Sequence, residues 1–129
     1  MLSNGFRPFF LMAAEWAALA IPFWLVAYMT GIVLPSAFPP FIWHAHEMVY
    51  GFAAATVAGF LLTAIPNWTG RMPLQGWPLA ALVALWLIGR VAVLLSTWIG
   101  TSLAAVADLS FPMIFLVVVA REILTGRNW

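Results

Sequence analysis

Four long apolar stretches, each holding a single charged side chain, leave this chain little choice of fold. They run from about Phe9 to Met29, Trp43 to Ile65, Leu79 to Trp98 and Leu103 to Ala120. A helix needs about 20 mostly apolar residues to cross a bilayer, and each stretch is close to that length. Lipid offers no partner for an open strand edge, and strands of a membrane barrel would alternate polar and apolar residues, which these runs do not. The expected fold is therefore all-α: a polytopic transmembrane helical bundle with four predicted spans. Residues 1–129 read as a single transmembrane unit. The first stretch is too long for a signal-peptide core and lacks a small-residue cleavage site, so it is expected to be retained.

Composition closes the other routes. Charged residues make up 7% of the chain and hydrophobic ones 65%, against roughly a quarter and a half in a soluble domain. Five basic and four acidic side chains cannot clothe a water-soluble globule of 129 residues. The net charge of +1 also argues against nucleic acid as a partner, which calls for a strongly basic balance. With no cysteine, disulfides, zinc–thiolate sites, iron–sulfur clusters and thiol catalysis are out.

The breaks between spans carry turn chemistry. Leu34-Pro35-Ser36-Ala37-Phe38-Pro39-Pro40 cannot continue a helix. Pro66-Asn67-Trp68-Thr69-Gly70-Arg71-Met72-Pro73 closes the second span, and Ile99-Gly100-Thr101-Ser102 reads as a tight helical hairpin. The glycosylation pattern Asn67-Trp68-Thr69 is discounted as chance. Arg7, Arg71, Arg121 and Arg127 fall on one side of the spans and no basic residue on the other, so the N- and C-termini are expected in the cytoplasm. Trp43 and Trp98 are then expected at the outer interface, and Trp68 and Trp77 at the inner one.

An ionisable group inside a span is costly and so is a functional candidate. His44, His46 and Glu47 fall near the outer end of span two, Arg90 in span three, Asp108 in span four and Glu15 in span one. At ~1.5 Å per residue, Arg90 lies roughly 12 Å and Asp108 roughly 8 Å below the outer surface. An ion pair of Arg90 with Asp108 or Glu47 that locks the bundle is the expected use of these groups. Glu15 either stays protonated and hydrogen-bonded or leans inward toward Arg7.

Trp43-His44-Ala45-His46-Glu47-Met48 is the densest chemistry in the chain. On a regular helix, His44, Glu47, Met48 and Gly51 share one face, and His46 lies roughly 200° away, on a face with Tyr50. The two histidines then serve different partners, and His44 is the one expected to point into the bundle. In an extended segment, His44, His46 and Met48 would instead line up as ligands. Imidazole and thioether suit haem iron and copper; histidines that only hydrogen-bond near headgroups are the plainer reading. Below His44 the face continues as Gly51, Ala55 and Gly59, a groove of small residues that favours close helix packing or, alternatively, clears space for a flat macrocycle. In span three, Trp86, Gly89, Arg90 and Val93 share a face, where the arginine could neutralise a carboxylate.

Four blocks of sequence together closely resemble the NnrS family. They are Gly5-Phe6-Arg7-Pro8-Phe9-Phe10, Trp43-His44-Ala45-His46-Glu47-Met48 followed by Gly51, Gly59-Phe60-Leu61-Leu62-Thr63-Ala64-Ile65-Pro66-Asn67-Trp68-Thr69-Gly70, and Leu85-Trp86-Leu87-Ile88-Gly89-Arg90. That is a bacterial inner-membrane family linked to nitric-oxide metabolism and nitrosative stress, with members described as haem- and copper-containing. Known members are several times longer, so the chain is similar to their N-terminal part, and absent spans would contribute further ligands. The resemblance implies a haem- and copper-associated protein of the inner membrane acting in nitric-oxide response or detoxification. Its metal ligands would be His44 and His46, with Met48, Gly51 and Arg90 at the cofactor and Glu47, Asp108 and Glu15 as charge partners. Its partners would be the bilayer, nitric oxide and further membrane helices. Two other classes stay open: a transporter or proton-conducting module using Glu15, Glu47, Arg90 and Asp108, and a non-catalytic membrane subunit.

Overall fold

The computed structural model describes residues 6–126. Gly5, from the first family-like block, and Arg127, one of the four arginines expected on the cytoplasmic side, lie outside the described residues. The described chain is all-helical: α1 (Phe6–Thr30), α2 (Pro40–Thr69), α3 (Trp77–Leu94), a single turn at Ser96–Ile99, and α4 (Thr101–Thr125). All four long helices are long and apolar enough to cross a membrane. Their outer surface is crowded with exposed Leu, Ile, Val, Phe and Met, as lipid contact requires and water would not tolerate in a patch of this extent.

The helices run past the apolar stretches because their ends are set by backbone chemistry. α2 begins at Pro40, which has no N–H to lose at a first helical position. It ends on Gly70, whose φ of 67° lets its N–H fold back to the Pro66 carbonyl at 2.9 Å. α1 ends the same way on Gly31, at φ 71°.

Two departures from the expected geometry shape the site. The third apolar stretch, expected to run unbroken to Trp98, breaks at Leu95. There the 31–39 connection docks on the break. Ser36 Oγ donates to the Val93 carbonyl at 2.9 Å, Ala37 N–H donates to Ser96 Oγ at 2.6 Å, and Thr97 N–H donates to the Pro35 carbonyl at 3.1 Å. The chain end of α3 and the loop thus satisfy each other's polar groups, so the helix need not continue.

The second departure is inside α2. Residues Glu47–Ala53 are π-helical, with wider i→i+5 turns. Residues four apart therefore stack along one line, and the buried stripe reads Trp43, Glu47, Gly51, Ala55 before reverting to the tighter rhythm of Ala58, Leu62 and Ile65. A uniform 3.6-residue period would have put His44 on that line. Trp43 takes the place instead: it is 1% exposed, edge-to-face against Phe23 at 5.6 Å, and not in an interfacial belt. Trp68, Trp77 and Trp98 are exposed near helix ends.

α1 packs mainly on α2, and α3 on α4, with α2 touching α4 to join the two pairs. The lower core gathers Phe9, Ala13, Ala55, Leu62, Leu82, Trp86 and Phe111. A smaller upper core of Ala20, Ala27, Leu34, Trp43 and Val93 lies toward the 31–39 connection.

Candidate functional site

Between the two cores sits a chain of buried charges. Arg90 on α3 donates from Nη1 to Glu47 Oε2 at 2.8 Å and from Nη2 to Asp108 Oδ1 on α4. Glu47 and Arg90 are 0% and 2% exposed, and Asp108 is 5% exposed. Helix geometry explains how three helices converge here. The π-helical stretch turns Glu47 inward. Gly89, one residue before Arg90, lets α4 approach so closely that a Cβ there would stand 3.1 Å from Asp108 Cα. The guanidinium fork then spans both carboxylates, a match that arginine's rigid plane makes better than lysine's point charge.

Two tryptophans fix the arrangement from the side. Trp16 on α1 donates its indole N–H to Glu47 Oε2 at 3.0 Å, so that oxygen accepts from both Trp16 and Arg90. Trp86 donates to the Gly51 carbonyl at 3.1 Å. The same carbonyl also accepts from the Ala54 N–H, where the wide turns end. Gly51 itself is required by Trp16, because a Cβ at that position would lie 2.7 Å from the indole nitrogen. The space beside Gly51 and Gly59 is filled by Trp16 and Phe10 from α1, which is the helix-packing use of the small-residue groove.

The histidines divide between two helices. His46 Nε2 lies 2.9 Å from Asp108 Oδ2 on α4, within ion-pair distance. Its N–H is not aligned on that oxygen and has no other acceptor. The imidazole stacks on Tyr50 at 4.5 Å and leans on Phe38 at 5.2 Å. His44 goes the other way: its ring stacks on Trp24 of α1 at 4.1 Å and 15°, with Nδ1 buried and unpartnered. His46, and not His44, therefore reaches the charged centre of the bundle. The reversal follows from the π-helical turn, which advances the phase of every residue before it. Met48 is half-buried against the upper core.

Glu15 is apart from all of this. It is exposed on the outer side of α1, one residue from Trp16, and a helix turns ~100° per residue, so the two side chains take different sides. The face expected to be shared by His46 and Tyr50 is the one on which their rings stack. Sequence reasoning missed Trp16 and Trp24 as companions of the site, because only the fold brings α1 against Glu47 and His44.

Beside His46 and Asp108, under the 31–39 connection, lies a cavity of about 330 Å³ lined also by Phe38, Tyr50, Ser96 and Thr101. Its walls are mostly apolar, and its charged wall is the Asp108 carboxylate with the neighbouring imidazole. Among the described residues no three His, Asp or Glu side chains converge as a metal cage.

A family model described as NnrS protein matches residues 1–129, the whole chain. No curated protein and no solved structure matches it.

Proposed function

The chain belongs to the NnrS family, and on that premise we propose that it acts in the bacterial response to nitric oxide, in the inner membrane, as a haem- and copper-associated protein. The observation that carries this reading is the pair of histidines held apart beside a buried ionic centre, one on Trp24 and one on Asp108. The Asp108 carboxylate lies 2.9 Å from His46 Nε2, close to where a carboxylate stands beside a metal-binding histidine. The donor set fits a centre to which this stretch supplies one imidazole per metal. It does not fit a cage closed by His44, His46 and Met48, because the two imidazoles point to different helices.

Bound haem and copper would supply one-electron chemistry and a place for a diatomic gas to ligate. The residues of this chain would hold and tune that place. Tyr50 and Phe38 pack the His46 ring beside Asp108. Arg90 offsets the two carboxylates, so that the site does not carry a double negative charge into low dielectric. Trp16 keeps Glu47 turned toward Arg90. The apolar cavity under the 31–39 connection gives a small neutral molecule a route to His46.

Purified protein should show a Soret band and contain copper. His44→Ala and His46→Ala should each lower one of these, and not the same one. Colourless, metal-free protein, or equal haem and copper in the wild type and both variants, would sink the reading. The arginine distribution further supports cytoplasmic N- and C-termini; an alkaline-phosphatase fusion at the C-terminus should be inactive, and an active one reverses the orientation.

A second reading has an observation of its own. Glu47, Arg90, Asp108 and His46 form a continuous polar line across three helices, as in a proton-conducting module. Glu15 is not on that line. Proton flux into proteoliposomes that is lost in Glu47→Gln would favour this reading over the metal centre.

A further inference from the structure

The outer side of α1 carries two hydrogen-bond acceptors that lack their ordinary partners. The first is the Glu15 carboxylate, which is exposed and makes no hydrogen bond or ion pair among the described residues. It sits nine residues above Phe6, about 14 Å along the helix. Arg7, the other charged residue of α1, is about 12 Å below it, beyond the reach of a carboxylate on two methylenes. The second acceptor is the backbone carbonyl of Ala18. Its helical partner four residues on is Pro22, which has no N–H to give. Ala18 and Pro22 are exposed, as Glu15 is, and the three lie along one stripe of the helix by i+3 and i+4 spacing.

Lipid cannot satisfy either group. The stripe is also shaped for close approach. Ala14 and Ala18 are small and exposed, at the spacing that lets two membrane helices bring their backbones together. α1 is the least covered of the four, with 17% of its apolar window buried against 39% in α3.

We propose that this stripe is the docking face for a further transmembrane helix that carries a cationic side chain, arginine or lysine, at the depth of Glu15. Two acceptors about one turn apart suit a donor with several N–H groups, and the carboxylate demands a positive charge. A second copy of this chain does not meet that demand. Parallel copies meeting on α1 would set one Glu15 against the other.

The test places a photo-crosslinking amino acid at Leu19, exposed on the same stripe, in the protein expressed in its native membrane, with Leu11 as a second position one turn below Glu15. The crosslinked peptide is sequenced. The expected product is a membrane-spanning segment with arginine or lysine within one turn of the attachment point, and its yield drops several-fold in Glu15→Gln. Crosslinks to lipid alone, to α1 of a second copy, or to a helix without a cation there overturn the proposal. An unchanged yield in Glu15→Gln does so too.

Discussion

Two of the three arginine–carboxylate contacts among the described residues have nearly the same length in opposite settings. Arg90 bonds Glu47 at 2.8 Å with both side chains almost wholly buried, while Arg71 bonds Glu122 at 2.7 Å with its side chain 41% exposed. Distance alone would rank them equal. Their environments do not. At the Arg71 end, water can replace either partner, and the pair ties the 70–76 connection to the last turns of α4 with little net gain. At the Arg90 centre the side chains of Arg90 and Glu47 are 2% and 0% exposed. Each ion depends on the others, and removing one strands its partners in low dielectric.

That contrast can be broken by mutation. The largest loss is expected from Arg90→Met, about 3–5 kcal/mol, read as a fall in detergent melting temperature or in folded yield. Since two carboxylates face Arg90, recovery should need both neutralised: adding Glu47→Gln and Asp108→Asn to Arg90→Met should return most of the loss, and adding either alone should return less. A triple variant no better than Arg90→Met would mean that the network is not a closed electrostatic unit. Next comes Gly51→Ala, which drives a methyl group into the Trp16 indole and should lose about 1–3 kcal/mol by overpacking, with a change in tryptophan fluorescence as the indole leaves Glu47. Trp16→Phe keeps an aromatic ring but loses the N–H donor and part of the indole volume, for about 1–3 kcal/mol in the same melting measurement. Arg71→Met should shift stability by under about 1 kcal/mol. A loss at Arg71 equal to that at Arg90 would show that burial is not what separates the two sites.

Much of this was legible in the sequence, for identifiable reasons. Four spans were visible because a bilayer sets a length, and a run of apolar side chains either meets it or does not. Glu47, Arg90 and Asp108 stood out because a charge in such a run is improbable without a partner. The histidines stood out too, but their directions did not. A sequence read at 3.6 residues per turn turns His44 inward and leaves Trp43 at the surface. The wider turns at Glu47–Ala53 exchange them. Nothing in Glu47-Met48-Val49-Tyr50-Gly51-Phe52-Ala53 announces that widening, because it is stabilised from outside, by Trp86 donating to the Gly51 carbonyl. The serine knot at Ser36 and Ser96 was hidden in the same way: each serine is ordinary alone, and only the fold brings them together across 60 positions.

The wide turns also give α2 a place where it can lose a residue. In a surface loop the loss of one residue is absorbed where it occurs. Here, deleting a single codon at Val49, a lipid-facing position 60% exposed, would let the stretch close into ordinary α-helix. The three turns from Trp43 to Ala55 would then hold eleven steps in place of twelve, about 3.7 residues per turn, so the segment above would keep its direction. Trp43, His44 and His46 would keep their neighbours. A deletion elsewhere in α2 would instead swivel everything above it by about 100°, so a deletion scan of this helix should show its mildest loss within Glu47–Ala53.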